Sequence, residues 1–208
     1  MNKPIFGRNG CLEPAAAPLL IVLSGPSGAG KDAVLARLKE KALPLQFITT
    51  VTTRARRNSE KDGKDYRFVS VPEFQRMIEH QELLEYANVY GNWYGVPRQE
   101  VEQALGGKKD VMLKLDIQGA ATVRKVMPQS ILVFLAPVCL DDLALRLGGR
   151  QTESASDLEL RLKTADLEMD KLPMFDYLVV NRQGKIDEVV EDIEAIIQAE
   201  KCRVFRCI

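Results

Sequence analysis

Short apolar runs alternate along the chain with segments of helical period, and this alternation predicts the architecture. Residues 19–23 are continuously apolar and run through Ser24 into glycine, as expected of a strand covered on both faces. A helix is predicted to begin after Gly30, to reach about Ala42 and to stop near Pro44. Residues 47–53 are β-rich and predict a second strand. Ser70-Val71-Pro72-Glu73 has the form of a capping box with proline in the first turn, and Phe74, Met77 and Ile78 give the following helix its apolar face. A further helix at 97–105 ends at Gly106-Gly107, and a strand at 110–115 leads into Asp116-Ile117-Gln118-Gly119. Another helix ends near Met127-Pro128. Residues 131–135 and 175–180 read as buried strands, and a closing helix from about residue 187 turns Val189, Val190, Ile193, Ile196 and Ile197 inward.

Strands alternating with helices predict a parallel sheet joined by right-handed crossovers. Two segments break the rhythm. Residues 50–97 include a polar, heavily charged stretch and then a mixture of aromatics and carboxylates: Glu85, Tyr86, Tyr90, Trp93 and Tyr94. Residues 141–170 are helical and charged, interrupted at Gly148-Gly149 and 154–156, with Leu158, Leu162, Ala165 and Met169 on one stripe. Each lies between core strands and carries arginines, as insertions that close over ligands do. The predicted organisation is a loose leader at 1–17 and one domain at 18–200. Its core is 18–49, 98–140 and 171–200, with insertions at 50–97 and 141–170; the tail at 201–208 shows no pattern.

The turn after the first strand is Gly25-Pro26-Ser27-Gly28-Ala29-Gly30-Lys31-Asp32. Its glycines permit backbone conformations that aim several N–H groups at one point, and the next helix adds its positive end. Lys31 supplies a mobile charge. The spacing is that of a phosphate-binding loop, except that Asp32 stands where a Ser or Thr hydroxyl would hold magnesium. The fold class expected is therefore α/β, a P-loop NTPase-type parallel sheet with crossover helices.

Composition narrows the partners. Lysine plus arginine equals aspartate plus glutamate, 29 each, which argues against long nucleic acid or an acidic membrane as the target. Four cysteines (Cys11, Cys139, Cys202, Cys207) show neither metal spacing nor a disulfide framework, and the expected setting is a reducing cytoplasm. No run is long enough to span a bilayer, and the apolar stretch at 15–23 leads straight into the glycine loop, which argues against a signal peptide. Arg54, Arg56 and Arg57 fall within four positions. Guanidinium forks match phosphate oxygens in a planar, two-bonded way, so a second phosphate site is expected there, with a solvated turn as the plainer alternative.

These pieces together resemble guanylate kinase, over about residues 19–199. The resemblance rests on GPSGAGK at 25–31, TTRARRNSEKDGKDYRFVS at 52–70, ELLEYANVYGNWYGVP at 82–97, LDIQGA at 115–120 and FDYLVVN at 175–181. It implies transfer of the γ-phosphoryl group of ATP to GMP, and to dGMP, with Mg2+, in purine nucleotide metabolism. It also implies that 50–97 is a GMP-binding insertion and 141–170 a helical lid. The acceptor phosphate would be held by Arg54, Arg57, Tyr66 and Tyr94, and guanine read by Glu85 and Asp116. Thr50 and Glu60 match further polar positions of that site. Gly25 to Lys31, Asp32 and Asn181 match the ATP side, and Arg146, Arg150 and Arg161 match lid arginines that clamp ATP phosphates. Partners would be the two small nucleotides, for a monomer or homodimer.

Three residues depart from the family pattern. Val96 replaces a hydroxyl that contacts guanine, a loss of about 1 kcal/mol. Asp32 replaces the loop hydroxyl, and Lys114 replaces an acidic residue two before Asp116, on the same side of the strand. Two accounts of the last pair stand side by side. In one, Asp32 ligates the metal directly or through water while Lys114 pairs with it or with a phosphate. In the other, the two form a plain ion pair and the metal is displaced. Two rival functions are a phosphopeptide-binding module on the same fold, against which the retained Lys31 speaks, and a kinase of another small phosphate ester. His80, Trp93 and Cys139 are expected to be structural.

Overall fold

The computed structural model describes residues 17–41, 43–58, 60–89, 91–139, 141–144 and 163–203. The strands in chain order are β1 (Leu20–Ser24), β2 (Leu45–Phe47), β3 (Val51–Thr52), β4 (Arg67–Phe68), β5 (Leu83–Val89), β6 (Asn92–Pro97), β7 (Asp110–Lys114), β8 (Ile131–Pro137) and β9 (Tyr177–Asn181). The helices are α1 (Lys31–Glu40), α2 (Val71–Glu79), α3 (Arg98–Gly106), α4 (Ile117–Val126) and α5 (Ile186–Lys201), with helical turns at 141–144 and 163–169.

The central sheet has five parallel strands in the order β2-β7-β1-β8-β9. β1 lies in the middle and is buried along its whole length. Because side chains alternate across a strand, its residues divide between two cores. Leu19, Ile21 and Leu23 join Val34 and Leu38 of α1 and Val190 and Ile193 of α5. Leu20 and Val22 face the other way, toward Val101 of α3 and Val123 of α4. Each fully buried aliphatic side chain contributes roughly 1.5–3 kcal/mol, so covering both faces is what makes so short a strand the organising element.

A second sheet, in the order β4-β3-β6-β5, is built on the antiparallel hairpin of β5 and β6. α2 closes one face through Phe74 and Met77 against Val51 and Leu83. Ser70 Oγ accepts from the Glu73 amide at 3.3 Å and caps α2 as the pattern predicts. His80 is an exposed residue at the end of α2, and Trp93 packs by stacking on Phe74, the placements expected of both.

The single strand predicted at 47–53 is in fact two. Phe47 pairs with Met112 in the central sheet, whereas Val51 pairs with Gly95 in the second. Residues 48–50 carry the chain from one sheet to the other, so the apolar run belongs to two cores. The helix expected to reach Ala42 ends at Glu40. Leu158 and Leu162 of the expected stripe lie outside the described residues; Ala165 is buried and Met169 packs against Phe134.

At the sheet edge opposite the glycine turn, Asp110 Oδ1 accepts from the Leu19 amide at 2.7 Å and from Lys201 Nζ at 2.5 Å. Asp110→Ala leaves both donors without this partner. It is expected to cost about 2 kcal/mol, lowering the melting temperature by about 4–8 °C, while steady-state kinetics stay unchanged. A change in kcat/KM would show that this edge communicates with the opposite one.

Candidate active site

The carboxyl ends of the parallel strands open onto a cleft of about 930 Å3. Its floor is the turn between β1 and α1. Gly25 has φ +142°, and a Cβ there would sit 2.2 Å from the Leu135 carbonyl oxygen of β8, so only glycine fits the approach. Lys31 Nζ folds back and donates to the carbonyls of Gly25 at 2.5 Å and Pro26 at 3.0 Å. Its ammonium is withdrawn from water although part of the residue remains at the surface, and burial lowers its pKa to about 8. Asn181, at the end of β9, donates to the Ala29 carbonyl at 2.7 Å. This contact braces the loop backbone on the side expected to hold ATP.

The arginine-bearing segment forms the opposite wall. Arg54 Nη2 donates to Glu60 Oε1 at 2.6 Å, Nη1 donates to the Ala55 carbonyl at 2.7 Å, and the guanidinium lies over the rings of Tyr66 and Phe68. Glu60 also accepts from the Arg57 amide at 2.8 Å through its other oxygen. Burial alone would raise the Glu60 pKa, but these donors hold it below the usual carboxylate range. Glu60, expected as an acceptor-site contact, thus shapes the turn and aims Arg54. Tyr66 and Tyr94 meet edge to face, with ring centres 5.9 Å apart. Exposed Arg57, buried Thr50, Tyr66 and Tyr94 all line the cleft.

Between the walls sit two carboxyl groups. Asp116 follows β7 and caps α4, its Oδ1 accepting from the Gly119 amide at 2.9 Å. Glu85 of β5 is 3% exposed, and its Oε2 is buried with no hydrogen-bond partner. Burial pushes the Glu85 pKa up to about 8, and the Asp116 charge adds to the rise. Asp116 is raised too, chiefly by burial. Gly119 makes room for the pair: a Cβ there would lie 2.9 Å from Glu85 Oε2. Val96, opposite Glu85 in the hairpin, is buried in the apolar core.

Lys114 Nζ donates to Asp32 Oδ1 at 2.5 Å, so the ion pair between the two departures from the family pattern is present. Asp32 remains 77% exposed. Among the described residues no group of three or more His, Cys, Asp or Glu is placed to hold a metal. One exposed carboxylate beside the loop suits a magnesium ion that arrives with a nucleotide and takes its other ligands from phosphate and water. It does not suit a resident metal.

Sequence reasoning missed Glu168, which enters the cleft from the turns at 163–169. It accepts a backbone hydrogen bond from Ser27, and its pKa is raised by burial against the pull of Lys31. The Glu at this position carried no local signal. Arg146, Arg150 and Arg161 lie outside the described residues.

The guanylate kinase family model matches residues 18–200. The chain is similar to the chloroplastic/mitochondrial guanylate kinase 2 of Oryza sativa subsp. japonica, with 45% identity over 196 residues, 94% of this chain and 69% of the relative. It is 44% identical over 188 residues to the guanylate kinase of Desulfitobacterium hafniense (strain Y51), covering 90% of this chain and 93% of the relative. A crystal structure of guanylate kinase from Anaplasma phagocytophilum shares 33% identity at a TM-score of 0.76, over 91% of this chain and 89% of its own.

Folding raises the proton affinity of Glu85. Between pH 4.5 and about 8 the folded chain holds a proton that the unfolded chain has released, so this residue makes stability fall as pH rises across that window. Glu85→Gln should remove the fall. Relative to the Gln variant, the parent is expected to lose on the order of 3 kcal/mol between pH 4.5 and 8.5 in urea melts. Parallel pH profiles would show that the carboxyl is ionised in the empty protein.

Proposed function

Because the chain belongs to the guanylate kinase family, and is therefore an enzyme that transfers the γ-phosphoryl group of ATP to GMP, we propose that the cleft divides this work between its two walls. The glycine turn and Lys31 hold the phosphates of ATP. Arg54 and Arg57, with Tyr66 and Tyr94, hold the phosphate of GMP. The observation that carries this reading is Glu85, whose buried Oε2 lacks a donor beside Asp116. The guanine edge brings N–H donors at N1 and N2; adenine has no donor at N1 and would leave the carboxylate unpaired. dGMP presents the same edge and is proposed as a second acceptor.

The protein has little covalent work to do, because the acceptor oxygen is already anionic and needs no general base. Positioning and charge compensation carry the rate. Lys31 must leave the carbonyls of Gly25 and Pro26 to reach a phosphate, and its lowered pKa returns toward normal when that anion arrives. Magnesium bound with ATP would offset charge on the moving phosphoryl group. Asp32 would hold it directly or through water. Residues 141–170 are proposed as the lid and 50–97 as the acceptor subdomain. Arg146, Arg150 and Arg161 are proposed to reach the phosphates and exclude water as the lid closes. The enzyme is taken to act in the cytoplasm on small nucleotides, as a monomer or homodimer, and not on nucleic acid or membrane. Among the described residues no helix is long and apolar enough to cross a membrane.

An ADP-release assay with ATP and magnesium, offering GMP, dGMP, AMP, UMP and CMP in turn, is expected to show turnover with the two guanine nucleotides alone. Comparable rates with AMP would refute the role given to Glu85 and Asp116. In the same assay Arg57→Ala should raise the KM for GMP about tenfold with kcat nearly intact. Lys31→Met should lower kcat by about 100-fold or more.

A further inference from the structure

Lys114 ends β7 and pairs in register with Leu23, next to the glycine turn. Its side chain is only 15% exposed. Besides its bond to Asp32, its ammonium donates to Tyr66 Oη at 2.7 Å and stands 4.2 Å from the centre of that ring. Burial opposes the charge, but the Tyr66 oxygen and the Asp32 carboxylate outweigh it and hold the Lys114 pKa above that of an ordinary lysine. One cation therefore bridges the two parts of the site. Asp32 belongs to the first turn of α1, on the donor side. Tyr66 immediately precedes β4 and lies against Tyr94 and Arg54 on the acceptor side.

A phenol carries one proton and two lone pairs. An ammonium that donates to the oxygen takes up a lone pair and repels the phenolic proton, which turns away from it. It also draws electron density from the oxygen, making the remaining O–H a stronger donor. We propose that Lys114, held in place by Asp32, is a positioning residue that orients and strengthens the Tyr66 hydroxyl as a donor to the acceptor phosphate. A carboxylate on the ATP side thereby controls affinity for GMP before any ATP is bound. The inference rests on the reading of Tyr66 as an acceptor-phosphate contact.

The test is calorimetric titration with GMP alone, without ATP or magnesium, on Lys114→Met, Tyr66→Phe, Asp32→Asn and their pairwise combinations. Lys114→Met and Tyr66→Phe are each expected to weaken GMP about tenfold, and the two together no more than the worse one alone. Asp32→Asn is expected to weaken GMP about threefold to tenfold in the parent and to have no effect in the Lys114→Met background. Lys114→Arg, which keeps the charge and the donors, should stay within about threefold of the parent. Losses that multiply in the Lys114→Met, Tyr66→Phe double variant would overturn the proposal, since Lys114 would then act without Tyr66. GMP affinity unmoved by Asp32→Asn would overturn it as well, and because Asp32 is exposed that arm survives even where Lys114→Met fails to fold. A loss with Tyr66→Phe but none with Lys114→Met sinks this inference alone. No loss with Tyr66→Phe refutes the acceptor-site reading beneath it.

Discussion

A cation that will meet a phosphate has to be held somewhere while the site is empty. An unpaired ammonium or guanidinium in a half-buried cleft is costly, and one left free to search loses the geometry that catalysis needs. Here three cations of the cleft are parked on internal acceptors. Lys31 rests on two loop carbonyls, Arg54 on Glu60 and Lys114 on Asp32 and Tyr66. The parking bonds cost the incoming ligand little, because a phosphate offers more charge and better geometry than a carbonyl. They keep the side chains aimed, and the bonds of Lys114 link the two walls of the cleft. Much of the folding around the cleft serves this storage of charge.

The sheet makes the arrangement rigid. β1 is buried on both faces, so the turn that follows it cannot move without opening two cores at once. Gly25 is wedged against β8 and Asn181 supports the loop from β9, which ties the turn to two further strands of the sheet. The second sheet has its own small core around Phe74 and also shares a core with the first, where Leu84 and Val96 pack with Leu20 and Val22 of β1.

What the sequence revealed was what is local. The glycine turn, the cap of α2, the arginine cluster and the acidic residue after β7 are each short patterns with a physical reason inside a few residues. Glu85 and Asp116 were identified through the family resemblance, and the structure brings them together. What stayed hidden depends on distance along the chain. Asn181 meets Ala29 across 152 positions, and no pattern near either announces it. The division of 47–53 between two sheets depends on partners at Met112 and Gly95, so period alone reads it as one strand. Glu60 sits in the right segment, but its task of holding Arg54 emerges only once the turn has closed. Gly119 looked like part of a motif; its reason is the carboxylate that would otherwise strike its Cβ.

The neutral state of Glu85 has a consequence for the solution around the enzyme. With its pKa pushed up to about 8 by burial, Glu85 is mostly protonated at neutral pH, whereas the guanine contact proposed for it needs the ionised form. On that proposal, loading the acceptor expels close to one hydrogen ion into the surrounding buffer, and unloading takes it back. The base pocket thus exchanges one particle for another, and the acidity of its surroundings becomes a third participant in how tightly the acceptor is held.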